Sequence, residues 1–462
     1  MADFLNSLNH IIDTYNNYVG GYLLLIILVP TGIYFAFKFR FLHITKIRHS
    51  IDVIRGKYDK KDDTGDINHF RALTTALSAT IGTGNIVGVA LAIYYGGPGA
   101  VFWMWITGFL GMILKFVECT LSMKFRKVND DGSISGGPMY YMEMGLKEKI
   151  GKIAKVLAVI FAISTILCSL GTGNMAQSNS ISNVLDINYG IPTWATGLLI
   201  STLVLLVIIG GIKRIAEITS KLVPFMAILY FLATLLIIIL FYKQIPHAFK
   251  LIFINAFTGT AKTGGFIGSV FIMTLIYGVR RGLFSNEAGQ GSAAIAHAAA
   301  KTEYPVREGL VASVGPFIDT LVICTLTALV VILTGSWKNG IEGVGMTVEA
   351  FSDGLEKVGI AFLGQHIVAA GLLLFAFSTI ISWSYYGDRA AEYLLGSRFI
   401  KPYRYLFVIF VFFGSIWGIE LVWNFVDMVI TFMTIPNLIA LLLLSSVVKK
   451  EIDAYFKTGL KL

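Results

Sequence analysis

Ser78-Ala79-Thr80-Ile81-Gly82-Thr83-Gly84-Asn85-Ile86-Val87-Gly88 stands in the middle of an apolar run, 72–95, that is long enough to cross a bilayer as a helix. Two glycines one residue apart, flanked by hydroxyls and an amide, make a poor continuous helix. A phosphate-binding loop is excluded, because the spacing is GxGxxxG and no strand precedes it. Close packing of membrane helices over small residues would explain the glycines alone equally well. A second segment of the same kind shifts the weight. Tyr277-Gly278-Val279-Arg280-Arg281-Gly282-Leu283-Phe284-Ser285-Asn286-Glu287-Ala288-Gly289-Gln290-Gly291 follows five apolar runs later, glycine-rich and too polar to face lipid.

Working outward, eleven apolar runs emerge: 21–39, 72–95, 100–123, 153–176, 193–211, 222–242, 265–283, 310–335, 366–386, 405–422 and 425–447. The chain is 55% hydrophobic and only 14% charged, with a mean hydropathy of +0.73. That balance excludes a soluble globule, and lipid forces the backbone into helices. The net charge of +9 marks no nucleic-acid surface, since Lys and Arg sit in short loops between the runs. Cys119, Cys168 and Cys324 each lie inside an apolar run and form neither a disulfide framework nor a CxxC pattern. The polar start, 1–20, lacks the basic region and cleavage site of a secretory leader, so the first run is expected to stay in the mature protein.

Alternate loops differ sharply in charge. One side, counting the tail, holds 31 of the 37 Lys and Arg; the other holds Lys243, Lys250, Lys262, Lys338 and Lys357, and Lys115 lies within a run. The basic side is read as cytoplasmic, which puts the N-terminus outside and the C-terminus inside. The first interrupted run then crosses inside to outside and the second outside to inside. Interruptions at matching positions of oppositely oriented halves read as an inverted repeat. The expected organisation is an extracellular N-terminus, leading helix and cytoplasmic loop over 1–71, five-helix repeats over 72–242 and 265–447, and a cytoplasmic tail, 448–462. The chemistry of a break is direct: freed amides at a helix N-terminus suit a carboxylate, and freed carbonyls suit a cation.

Gly96-Gly97-Pro98-Gly99-Ala100-Val101-Phe102-Trp103-Met104-Trp105-Ile106-Thr107-Gly108-Phe109-Leu110-Gly111 resembles the signature of the alanine or glycine:cation symporter family. Ala79 to Asn85, Gly136-Gly137-Pro138-Met139-Tyr140-Tyr141 and Phe284 to Gly291 resemble it too. The resemblance implies sodium-driven import of alanine, glycine or related small neutral amino acids across the plasma membrane, on an all-α, LeuT-like fold of five plus five helices with one extra N-terminal helix. It also implies a sodium site with carbonyls of Ser78, Ile81 and Phe375 and hydroxyls of Ser378 and Thr379. Phe375 departs from the small residue common there. For the substrate it points to the amides around Thr83, Gly84 and Asn85, although Asn85 could instead face a second cation.

In the fourth run, helical spacing lets Asn174 and Gln177 share one face, with interhelical hydrogen bonding as the plain alternative. Phe271, Met273, Tyr277 and Trp383 are bulky candidates for closing a pocket. Lys115 and Glu118, three apart, are expected to pair. Arg280 and Arg281 are expected to face a cytoplasmic vestibule, with Arg281 and Glu287 as gating residues. Intramembrane carboxylates, Asp319 and Glu287 among them, keep proton coupling as the rival. A membrane enzyme would need a nucleophile with its base or clustered metal ligands, and a channel a pore loop; none stands out.

Overall fold

The computed structural model describes residues 10–60, 62–130, 132–258 and 267–457. The first nine residues, Lys262, the expected start of the second repeat at 265 and the last five residues of the tail lie outside the described residues.

The chain is helical because each crossing segment must satisfy its own backbone. From His10 the described chain is helical and passes through a wide turn, Asn16–Gly20, into α1, Gly21–Lys38. α2, His69–Thr80, and α3, Val89–Gly96, flank the first break and are bent by 53°. α4, Ala100–Lys124, runs through the centre of the bundle. Gly111 lets it approach the second break, where an added Cβ would lie 2.8 Å from that of Ala288. α5, Ile153–Leu170, and α6, Ala176–Tyr189, are joined by the wide turn Gly171–Met175 into one span longer than the expected 153–176. Its polar residues are buried between helices and do not interrupt it.

α7, Thr193–Ile208, and α8, Gly211–Leu240, follow. Expected loops then hold two helices, α9, Ile245–Thr258, and, later, α14, Val344–Glu356. α10, Ile267–Asn286, and α11, Ser292–His297, flank the second break. α12, Pro305–Pro316, and α13, Thr325–Thr334, form one span through the wide turn Phe317–Cys324. α15, Leu363–Leu395, packs along both α2 and α5. α16, Ile400–Ile416, and α17, Ile419–Leu443, complete the bundle, and α18, Ser445–Lys457, follows.

Among the described residues eight helices are long and apolar enough to cross a membrane, nine when the bent pair counts as one span. Of the eleven expected runs, α7 is apolar but has only 16 residues, and α10 carries Arg280 and Arg281. One end of the bundle gathers Asn16, Tyr95, Asn183, Glu342 and Trp417 around a cavity of about 1130 Å³. At the other end segments 64–67 and 299–302 are tied together, beside a second cavity of about 1100 Å³ lined by Lys127, Tyr140, Lys155 and Glu392. There Asp66 and Ile67 donate backbone N–H to Ala299, and Lys301 and Thr302 donate to Ile67 and Thr64. The Arg126 guanidinium donates to four carbonyls across this seam, those of Thr64, Ala298, Ala300 and Thr302, at 2.7–3.1 Å. Glu308 accepts from both His69 and His297 beside it.

Candidate functional site

The two breaks touch. A Cβ on Gly84 would lie 3.0 Å from the Phe284 ring and 3.1 Å from Ser285 Cα. At the first break Ile81 turns to an extended ψ of 90°. Gly82 then donates its N–H to Asn85 Oδ1 at 2.9 Å. Only glycine fits at 82, because a Cβ would sit 2.5 Å from Thr379 Oγ1 and 3.0 Å from Gln177 Oε1. At the second break Glu287 has φ +55, and Gly289 and Gly291 are left-handed. Asn286 Oδ1 accepts from Ala288 N–H, and Glu118 accepts from Gly291 N–H at 3.1 Å.

The five residues expected to bind sodium converge at the open C-terminal end of α2. Thr379 Oγ1 lies 3.0 Å from Ser78 O, 3.4 Å from Ile81 O and 3.1 Å from Phe375 O. Ser378 Oγ lies 3.3 Å from Ser78 O and 2.9 Å from Phe375 O. The Phe375 carbonyl therefore does reach the cluster despite the bulk of its side chain, whose ring packs against Tyr230. A hard cation bound by oxygens at roughly 2.4 Å has neighbouring ligands about 3.4 Å apart, so these oxygens need little rearrangement to hold one.

Around the next turn, Gln177 Oε1 accepts from Thr83 N–H at 3.1 Å, and its Nε2 donates to Thr172 O at 3.0 Å. Thr83 Oγ1 and Thr172 Oγ1 are buried without a hydrogen-bond partner in the chain, an expense that a polar ligand would relieve. Asn85 Nδ2 donates to Asp319 Oδ1 at 2.6 Å. Asp319 Oδ2 also accepts from Ser285 at 2.7 Å and Thr320 at 2.8 Å. Asp319 and Ser285 thus join the first break to the second and to the turn between α12 and α13. Only the isolated carboxylate at 319 hinted at this in the sequence.

Other expected residues lie elsewhere. Asn174 donates to Phe407 O at 2.7 Å, an interhelical tie. Phe271 packs edge-on against Trp103, and Met273 is 42% exposed on the outer surface, so neither joins the breaks. Tyr277 stacks on Tyr95 in the wall of the cavity. Trp383 is fully buried and donates to Glu287 at 2.8 Å. Lys115 does not take Glu118, which turns to Gly291 and Asn437 at the second break. Arg281 pairs with Asp427 at 2.7 Å rather than with Glu287, and Arg280 approaches the same carboxylate at 3.5 Å. Both arginines face the cavity at the N-terminal end, opposite to the expected side. The reason is that α10 ends at a break inside the bundle and does not cross it whole. Moving them lowers the basic side's share of Lys and Arg by two.

Below that cavity Arg281 covers the Trp423 ring at 5.2 Å, and Trp423 lies 5.1 Å from Phe284, which roofs Gly84. The two breaks thus bring a cluster of carbonyl and hydroxyl oxygens beside the Thr83 amide, below the cavity at the N-terminal end.

The profile of the sodium:alanine symporter family matches residues 5–461. The sodium/alanine symporter AgcS of Methanococcus maripaludis is 43% identical over 449 residues, covering 96% of each chain. The amino-acid carrier protein AlsT of Bacillus subtilis is 34% identical, covering 99% of this chain and 93% of its own. Among solved structures, a sodium-coupled sialic acid symporter in a substrate-bound, outward-open state matches with a TM-score of 0.54 at 12% identity, over 90% of this chain and 83% of its own.

Proposed function

The chain belongs to the sodium:alanine symporter family, and on that premise we propose that it imports small neutral amino acids, alanine and glycine foremost, together with sodium, by alternating access. It is a multi-pass membrane protein. The observation that carries the reading is the convergence of the Ser78, Ile81 and Phe375 carbonyls with the Ser378 and Thr379 hydroxyls beside an opened backbone.

Sodium takes those oxygens. Its charge faces the negative end of α2, where the last carbonyls have no partner further along the helix. The substrate carboxylate takes the N–H groups of Thr83 and Gly84, so the Gln177 oxygen now on Thr83 must yield and turn to the substrate. Trp383 bounds the site. Asn85 with Ser285 and Asp319 lines its far side. Sodium and substrate then sit a turn apart on one unwound segment and raise each other's affinity by the same factor.

Eleven spans in a five-plus-five inverted repeat, with one leading helix, fit two breaks that meet in mid-bundle. The N-terminus outside and the basic tail inside follow from the charge excess. In that orientation the cavity is extracellular, Arg281 and Asp427 are its gate, and the seam at Arg126 is the cytoplasmic closure. Glu287 belongs to the frame of the site rather than to that gate.

Proton coupling is the second reading, favoured by Asp319, a fully buried carboxylate in contact with Asn85. Radiolabelled alanine uptake into proteoliposomes separates them. Uptake that needs an inward sodium gradient, and not potassium at matched pH, supports the symport of sodium. Uptake driven by an inward proton gradient without sodium transfers the coupling to a carboxylate, and uptake of no small amino acid ends the substrate assignment.

A further inference from the structure

The proposed import gives Glu287 no contact with sodium or substrate, although it is 1% exposed and sits in a left-handed conformation that a long side chain rarely adopts. Both of its oxygens are taken. Oε1 accepts from Trp383 Nε1 at 2.8 Å, and Oε2 accepts from Ser292 Oγ at 2.6 Å. A carboxylate that ferries protons needs a route to change partners; this one is pinned by two donors.

The contacts continue from Trp383. Its Cγ and Cβ would lie 2.1 and 2.2 Å from a Cβ on Gly173, so the indole is seated on bare backbone. Its carbonyl also accepts from Ser169 at 3.0 Å. The residue before Gly173 is Thr172, whose carbonyl orients the Gln177 amide, and Gln177 caps Thr83 N–H. A line of contacts thus runs from the second break, through the indole on α15 and the turn between α5 and α6, to the first break.

Resting on the proposed transport of amino acids, we infer that Glu287 is a positioning residue. It holds the Trp383 indole against Gly173, and through that seat fixes where Gln177 meets the Thr83 amide and the substrate. Glu287 transfers no proton; its negative charge is dispensable and its acceptor oxygen is not.

The test compares Glu287→Gln, Glu287→Ala, Trp383→Phe and the double variant Glu287→Ala/Trp383→Phe in proteoliposomes, with kcat and KM for alanine measured from pH 6 to 8.5 at saturating sodium. Glutamine keeps an oxygen for the indole N–H, so Glu287→Gln is expected within about threefold of the parent with an unchanged pH profile. Glu287→Ala and Trp383→Phe should each raise KM about tenfold or more with a smaller change in kcat. The double variant should be no worse than Glu287→Ala, because both remove one interaction. Loss of transport or a shifted pH profile in Glu287→Gln with Trp383→Phe intact overturns the inference in favour of proton transfer. Single effects that multiply in the double variant overturn it as well.

Tryptophan emission of the purified protein reads the contact without transport. Glu287→Ala should shift the spectrum in the parent and leave it unchanged in the Trp383→Phe background. A parent that moves no alanine but shows this dependence refutes the transport reading and keeps the contact. An emission change that persists without Trp383 refutes the contact. If Glu287→Ala does not fold, Glu287→Gln against Trp383→Phe decides by transport.

Discussion

Replacing Thr379 by valine keeps the shape of the side chain and removes one oxygen. In the structure that oxygen is within 3.0–3.4 Å of three carbonyls, those of Ser78, Phe375 and Ile81. No other side chain in the cluster reaches all three. With a cation in place the hydroxyl turns its lone pairs inward as one of five oxygens. The loss of one such contact to a charge is worth about 1.5–3 kcal/mol. At about 1.4 kcal/mol per tenfold, the sodium concentration for half-maximal alanine uptake should rise by roughly 10- to 150-fold. The hydroxyl is not needed for the moving parts, so the maximal rate at saturating sodium should stay within about threefold. The assay is uptake against sodium concentration at fixed ionic strength, with alanine saturating, on protein whose yield and thermal unfolding match the parent. A half-maximal concentration within twofold of the parent's would refute the assignment of these oxygens to sodium. A fall in maximal rate with no change in sodium dependence would refute it too, by making Thr379 a hinge residue.

Neutralising the proposed gate with Arg281→Gln should lower the transport rate about tenfold while the equilibrium dissociation constant for alanine stays within threefold; equal losses in both would count against gating. Asp427 keeps Arg280 at 3.5 Å in that variant, so it is not left as an uncompensated buried charge. Gly173→Ala forces a methyl to 2.1 Å from Trp383 Cγ; overpacking of this kind costs about 1–3 kcal/mol, and thermal unfolding should show it, with recovery when Trp383→Leu is added. His43 lies beyond the end of α1, fully buried with both ring nitrogens unpartnered, and burial pushes its pKa down from 6.5 to about 4. The unfolded chain takes up that proton near pH 6.5 and the folded chain does not, so stability is complete above pH 6.5 and falls as the pH drops towards 4. The loss approaches about 3 kcal/mol; unfolding in detergent between pH 7.5 and 4.5 should show it, and His43→Leu should flatten it.

The glycines, hydroxyls and amides at 78–88 and 277–291 made the breaks legible, since no continuous helix accommodates them in lipid. The meeting of Ser78 and Ile81 with Ser378 and Thr379, some 300 residues apart, was legible through the resemblance. Rotation of each helix about its axis was not. Met273 and Tyr277 are one turn apart on α10, yet one faces outward and the other lines the cavity. The charge count puts Arg281 at the end opposite to the one it faces, because a run of apolar residues gives no sign of whether its helix crosses the bundle or stops inside it. Asp319 was visible only as a lone carboxylate; its partners Asn85 and Ser285 are about 234 and 34 residues away and meet it through packing alone.

Arg126 holds the seam by backbone oxygens, beside the side-chain ties of Glu308 to His69 and His297. Parting segments 64–67 and 299–302 would take the shared guanidinium from the carbonyls of Thr64, Ala298, Ala300 and Thr302. A doorway framed in carbonyl dipoles steadies a cation during rehydration and gives nothing to an anion. In the proposed transport, opening the door and easing the ion's departure would be one event.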